Sequence, residues 1–265
     1  MKEKNIVVYT AIFGNSDKLE EVKKFGNADY ICFTDNLKLK SKSWKIIFIK
    51  KENNSYLQAK KYKILPHLFL KSYNYSIWQD GTHALRVNPK KLINFLNPNK
   101  IAFFKHPRRT NVYQEAREVL KLKKDILEKV VPQIKNYKKE GFFINKLIAG
   151  TVIIREHNDP KIINLMNFWW KEINNKSIRD QLSFNYSAWK NKINYSIIPG
   201  DVYRNLFFKT KGHLNSKEKT NLEKIKDIFR ENDILRETIF AFGIKINNSF
   251  NNLSNYFLAK KRWGI

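Results

Sequence analysis

The chain has 265 residues, enough for one large domain or for one domain with a short appendage. Its 19 Phe, 12 Tyr and 6 Trp supply a core and exclude wholesale disorder, and its single cysteine, Cys32, excludes an internal disulfide framework. The formal charge of +27 fits an anionic partner (nucleic acid, a membrane surface, a phosphorylated substrate) or lysine-rich compositional drift, and alone it selects neither.

In chain order, Met1-Lys2-Glu3-Lys4 runs straight into Ile6-Val7-Val8-Tyr9, an apolar run too short for a signal peptide. No later stretch approaches ~20 apolar residues, so no membrane span is expected. With one cysteine, the chain reads as cytoplasmic, peripheral to a membrane at most. Strands are predicted over residues 5–10, 30–34, 45–49, 75–79, 101–105, 147–155 and 194–198. Helix signals alternate with them. Ser55 is placed to cap a helix that Pro66 ends, and Asn88-Pro89 and Asp159-Pro160 each pair a cap with a proline at the first helical position. A long basic helix is predicted over 113–137, broken near Pro132 and closed by Gly141. Ser177-Ile178-Arg179-Asp180 reads as a capping box opening a helix through Trp189.

This alternation predicts an α/β domain with a mostly parallel, helix-covered sheet over residues 1–215. Residues 216–265 carry only helix-like segments and form a basic helical tail. Its end, Lys260-Lys261-Arg262-Trp263, suits an anionic membrane surface.

Ligands of open α/β sheets sit at the carboxyl ends of the strands. After the first strand comes Thr10-Ala11-Ile12-Phe13-Gly14, where Gly14 lets the backbone approach a ligand. After the second comes Asp35, able to accept hydrogen bonds from a base or ribose. After the fourth comes Asp80-Gly81, a carboxylate suited to a hard cation and a diphosphate. Each is also an ordinary turn taken singly.

The ordered set Tyr9-Thr10-Ala11-Ile12-Phe13-Gly14, Asp29-Tyr30-Ile31-Cys32-Phe33-Thr34-Asp35-Asn36, Ile77-Trp78-Gln79-Asp80-Gly81, Lys105-His106-Pro107-Arg108 and Arg179-Asp180-Gln181 resembles one glycosyltransferase-like family. That family includes plant Golgi proteins of mucilage and turgor control and bacterial surface-polysaccharide members, and the resemblance spans about residues 5–190. It implies a GT-A fold, a Rossmann-like sheet that binds a nucleoside-diphosphate sugar. On that resemblance Thr10, Phe13, Gly14 and Asp35 would hold the nucleoside, UDP by preference, and Asp80 would bind a divalent cation (Mn or Mg). The sequence departs from the family pattern in one respect. Trp78 and Thr82 stand where a second carboxylate of an Asp-x-Asp motif would be, so the metal site is incomplete, with His213 as a distant further ligand.

A departing diphosphate needs positive charge. Lys60 and Lys63 can supply it, as can His106, Arg108 and Arg109 in the loop that Pro107 pins. Asp180 and Gln181 are the catalytic candidates, with Asp180 otherwise completing the capping box. Tyr113 and Glu115 would face the acceptor or be structural. The expected activity is transfer of a sugar to a growing surface polysaccharide or lipid-linked acceptor. A nucleic-acid-binding protein and a noncatalytic sugar-nucleotide binder are the alternatives, but no nucleic-acid module signature occurs, so no nucleic acid is expected.

Overall fold

The computed structural model describes residues 5–14 and 17–210; His213, the boundary at 215 and the expected tail lie outside the described residues. The strands are β1 (Ile6–Ile12), β2 (Ala28–Thr34), β3 (Lys45–Phe48), β4 (Tyr75–Gln79), β5 (His83–Leu85), β6 (Ile101–Lys105), β7 (Ile148–Arg155), β8 (Ser196–Asp201) and β9 (Phe208–Thr210). Seven of them form one sheet in the order β3-β2-β1-β4-β7-β6-β8. β1 pairs in parallel with β2 and β4, β2 with β3, and β6 with β8, whereas β7 runs antiparallel to both its neighbours. The carboxyl ends of β1, β2, β4 and β6 therefore share one edge with the amino end of β7. The short β5–β9 pair was not foreseen, because three-residue strands leave no periodic signal.

β1 reads as a continuous apolar run because it is buried on both faces. Val7 and Tyr9 pack with Trp169 and Phe184 on one side; Val8 and Ile12 pack with Trp44, Leu92 and Phe104 on the other. This is the helix-flanked, mostly parallel α/β architecture expected.

The helices are α1 (Ser55–Ile64), α2 (Pro66–Phe69), α3 (Pro89–Ile93), α4 (Val112–Lys121), α5 (Leu127–Lys139), α6 (Pro160–Asn175) and α7 (Asp180–Lys190). Asn88 and Asp159 cap α3 and α6 as predicted, and Gly141, at φ +78°, follows the end of α5. Three expectations need correction. Asn54, not Ser55, caps α1; its extended backbone lets its side chain accept the Leu57 N–H at 2.9 Å. The long basic helix breaks between α4 and α5, while Pro132 sits inside α5. The reason is long-range: Asp125 accepts from Ser177 Oγ at 2.6 Å and from the Ile178 N–H at 3.0 Å. Ser177 is thereby committed to Asp125, and no capping box forms. Arg179 occupies the cap position of α7 without a side-chain cap bond, and Asp180 is the first helical residue.

Arg155, near the end of β7, is fully buried and bonds to no carboxylate among the described residues. Its guanidinium donates to the Lys63 carbonyl, the Tyr9 hydroxyl and Ser76 Oγ, and the Tyr9 hydroxyl also donates to the Lys63 carbonyl at 3.0 Å. Burial depresses the guanidinium's pKa, and the neutral oxygens around it take the place of a counter-ion. The last turn of α1 is thus fastened to β1, β4 and β7, which fixes the helix that carries Lys60 and Lys63.

Candidate active site

The first three loops converge at the carboxyl edge of the sheet. Gly14 adopts φ +65°, and its N–H lies 3.0 and 3.1 Å from the two Asp35 carboxylate oxygens. A Cβ on Gly14 would come within 2.8 Å of Ser55 Oγ, so glycine is required both by conformation and by the close approach of α1. A Cβ on Gly81 would lie 3.2 Å from Ile12 Cδ1 and 3.3 Å from Asp17 Cβ, which sets the end of β4 against the loop after β1. Thr10 and Phe13 differ from expectation. Thr10 is 0% exposed inside β1, and Phe13 is buried with its ring centroid 5.5 Å from that of Tyr62. Neither side chain reaches the surface, so they support the loop rather than line it.

The site's charge is concentrated beside this loop. Asp180 Oδ1 lies 2.9 Å from Lys60 Nζ, and its Oδ2 lies 2.6 Å from Lys63 Nζ. Lys63 Nζ is also 3.6 Å from Asp80 Oδ1, to which Trp78 Nε1–H donates at 2.8 Å. Asp180 and Lys63 are both nearly fully buried, whereas the Asp80 side chain is 32% exposed. Burial opposes the charge on Asp180, but the ammonium groups of Lys60 and Lys63, with Arg179 beside them, outweigh it and hold the carboxyl well below the usual range. Burial likewise works against Lys63, and Asp180 and Asp80 overcome it, raising its pKa. For Lys60 burial prevails, and its pKa falls to about 8. Gln181 is half-buried in the same helical turn as Asp180.

One residue that sequence reading missed is Gly150, in β7. A Cβ there would lie 3.0 Å from Asp180 Oδ2 and 3.3 Å from Lys63 Nζ. The signal was available: a glycine within a predicted strand marks a close approach. Lys124 was also missed, since nothing in a scatter of lysines singles it out.

The expected phosphate loop is built differently from the expectation. His106 Nδ1 accepts the backbone N–H groups of Arg108 and Arg109 at 3.1 and 2.9 Å. Burial, with Arg109 and Arg108 close by, pushes its pKa down to about 3, so the ring is neutral and supplies no positive charge. Arg109 is tied to buried Glu115 through Nε, and the Tyr113 hydroxyl donates to the Phe142 carbonyl. These residues form an internally paired turn, with Arg108 exposed at its rim. Lys124, exposed nearby, lies within electrostatic range of Arg109, Glu115 and Arg179. Its pKa is lowered first by burial and then by Arg179, with Glu115 opposing.

The donor set fits a divalent cation poorly. An ion on Asp80 Oδ1 would face the Lys63 ammonium 3.6 Å away, and among the described residues no three His, Cys, Asp or Glu side chains gather into a metal site.

Asp80 and Asp180 meet Lys60 and Lys63 at the carboxyl edge of a mostly parallel sheet, the edge at which open α/β sheets bind their ligands. The chain belongs to the TOD1/MUCI70 family of glycosyltransferase-like domains, whose family model matches residues 1–213. It is 32% identical over 135 residues to "Probable hexosyltransferase MUCI70" of Arabidopsis thaliana, covering 46% of this chain and 23% of that protein. Among solved structures, the apo WbbM bifunctional glycosyltransferase aligns with a TM-score of 0.43 and 10% identity, over 75% of this chain and 39% of that one. Apo mouse xyloside xylosyltransferase 1 aligns with a TM-score of 0.42 and 10% identity, over 73% of this chain and 84% of the mouse one. The chain thus spans about a quarter of the plant relative's length. Among the described residues no helix is long and apolar enough to cross a membrane.

Proposed function

We propose that this protein transfers a sugar from a nucleoside-diphosphate donor, a UDP-sugar by preference, to a growing surface polysaccharide or lipid-linked acceptor at the cytoplasmic face of a membrane. The observation that carries this reading is the buried carboxylate Asp180 held between Lys60 and Lys63, beside Asp80 and the loop of Gly14 and Asp35. In transfer, the bond from the anomeric carbon to the diphosphate oxygen breaks and a bond to the acceptor oxygen forms. The acceptor's hydroxyl proton must go to a base, and the diphosphate leaves with added negative charge. Lys60 and Lys63 stand ready to meet that charge. Paired with both, Asp180 is a weak base; a diphosphate that draws the two ammonium groups to itself raises the carboxyl's proton affinity when a base is needed. Gln181, half-buried in the same turn, is assigned to orient the sugar or acceptor.

Stabilisation by nucleoside diphosphates tests the donor reading directly. A rise in Tm with UDP that is lost in Asp80→Ala supports it, and no rise with any nucleoside diphosphate rejects it. The charge on the diphosphate is assigned to lysine, so EDTA should change the rate of UDP-sugar cleavage less than about twofold, within ordinary lysine point-charge catalysis. A rate restored by Mn or Mg in wild type but not in Asp80→Asn would instead assign Asp80 to a metal, and the same loss in His213→Ala would add His213.

The alkaline limb of the pH profile follows from Lys60. Donor affinity should fall as pH rises through about 8, where Lys60 loses its charge. Lys60→Arg should flatten that limb, because guanidinium stays charged. Unfolding does not mimic this. With a folded pKa below the ordinary 10.5, the unfolded chain binds more protons between these values, so this group makes stability rise with pH there. An unchanged alkaline limb in Lys60→Arg would remove Lys60 from the donor site.

A further inference from the structure

A second concavity lies along the same edge of the sheet, away from the lysine–carboxylate group. It is an open groove of about 1050 Å³ between the end of β6, the start of β7, the last turns of α7 and the edge strand β8. Its walls include Trp189 and Tyr195, and Ile197 is 44% exposed on the uncovered side of β8. Four lysines line it, Lys105, Lys146, Lys190 and Lys192, and no Asp or Glu does. All four are exposed. Lys190 is paired with Glu140 at 2.5 Å, but among the described residues no carboxylate pairs with Lys105, Lys146 or Lys192.

The groove's wall is fixed rather than fluid. The Asn185 carboxamide donates to the Lys146 carbonyl at 2.6 Å and to the Tyr195 hydroxyl at 2.7 Å, and its oxygen accepts the Ile148 N–H at 3.3 Å. Two elements connect the groove to Asp180. α7 begins at Asp180 and reaches the groove at Asn185, about 7.5 Å along at 1.5 Å per residue. Leu147 in the groove leads directly into β7, which places Gly150 against the Asp180 carboxylate.

Aromatic rings offer flat apolar faces to the C–H faces of sugar rings, and asparagine amides suit hydroxyl groups. Unpaired ammonium groups favour an anion, and the absence of lining carboxylates leaves the field single-signed. We propose that this groove binds the acceptor, and that the acceptor is an acidic oligosaccharide whose rings carry carboxylates. The inference rests on the glycosyl-transfer reading and names the acceptor's chemical class. Lys105, Lys146 and Lys192 set the preference for charge, and Trp189 and Tyr195 set the preference for rings. The hydroxyl that receives the sugar is the one at the end of the bound chain.

The test uses the full chain and labelled hexamannuronate as probe, with mannohexaose and hexaglutamate as competitors, read by fluorescence anisotropy. Hexamannuronate should bind and weaken with added salt, and a tenfold excess of either competitor should leave it bound. Lys146→Glu/Lys192→Glu should weaken it at least tenfold with an unchanged far-UV spectrum, and Lys105→Glu alone should weaken it severalfold. Displacement by mannohexaose would overturn the acidic character, and displacement by hexaglutamate would overturn the sugar character. Loss of a dimer in the charge-reversed variants, by light scattering, would mean a second copy fills the groove and would also overturn the proposal. Cleavage of UDP-sugar by wild type, without acceptor, is measured alongside. Cleavage without hexamannuronate binding removes this groove and leaves the donor site standing. Binding without cleavage removes the transfer reading on which the acceptor role depends.

Discussion

Asp180→Asn is expected to lower turnover about 100-fold or more, the scale of losing a positioned general base. It is also expected to destabilise the fold by about 3 kcal/mol, because it leaves the buried ammonium of Lys63 without its closest anion. The sequence motif alone suggests a much smaller stability cost, that of a helix cap. The structure rules out that origin, since Ser177 is bonded to Asp125 and the Asp180 carboxylate points at two lysines. For a domain of this size the loss corresponds to a Tm lowered by roughly 6–12 °C. Kinetics measured well below that Tm separate the two effects. Turnover at the wild-type rate would leave Asp180 with a structural duty alone. The double variant Asp180→Asn/Lys63→Met should recover part of the stability, having removed the stranded charge, and none of the turnover.

Gly150→Val should be nearly as damaging to turnover while changing no ionisable group. Its Cβ would enter 3.0 Å from Asp180 Oδ2 and 3.3 Å from Lys63 Nζ, and its methyl groups would separate the pair. Both partners are fastened, Lys63 by the helix turn bonded to Arg155 and Asp180 by its carbonyl's bond from Trp169 Nε1–H at 3.1 Å. With both backbones held, the side-chain ends must give way, and the contact between Nζ and Oδ2 opens. We expect UDP-sugar cleavage to fall at least 100-fold, with a stability loss of about 1–3 kcal/mol from overpacking. Gly150→Ala should fall between Val and wild type. Cleavage by Gly150→Val within a few fold of wild type would show that the Lys63–Asp180 contact is dispensable for chemistry.

The fold was legible where the determinant was local. Continuous apolar runs gave β1, β4 and β6 almost to the residue, and Asn88 and Asp159 announced their helices through cap and proline chemistry. The site was legible as a set of loop ends, because parallel strands deliver Gly14, Asp35 and Asp80 to one edge. What could not be read was set by partners distant in sequence. Asp125 takes Ser177 from 52 positions away and thereby undoes a capping box that looks complete locally. His106 was read as a cation, but its ring nitrogen is occupied by the turn's own N–H groups and its charge is suppressed by burial and by the arginines. The pairing of Asp180 with Lys60 and Lys63 joins residues more than 100 positions apart, and no spacing rule reaches that far.

The reversal of β7 within an otherwise parallel sheet has a mechanical consequence. Lys60, Lys63 and Asp80 belong to the half of the sheet built from β3, β2, β1 and β4, whereas Gly150 and Asp180 come with β7 and the helix packed on it. The ion pairs therefore bridge a seam stitched by the antiparallel β4–β7 ladder, four residue pairs long and continued by the Asp80 N–H to the Thr151 carbonyl at 2.9 Å. On the donor reading proposed above, a nucleotide bound at this place would act as a rivet across the seam. Amide hydrogen exchange along Ser76–Gln79 and Val152–Arg155 should then slow on donor binding more than exchange in β2 or β3, which lie wholly within one half.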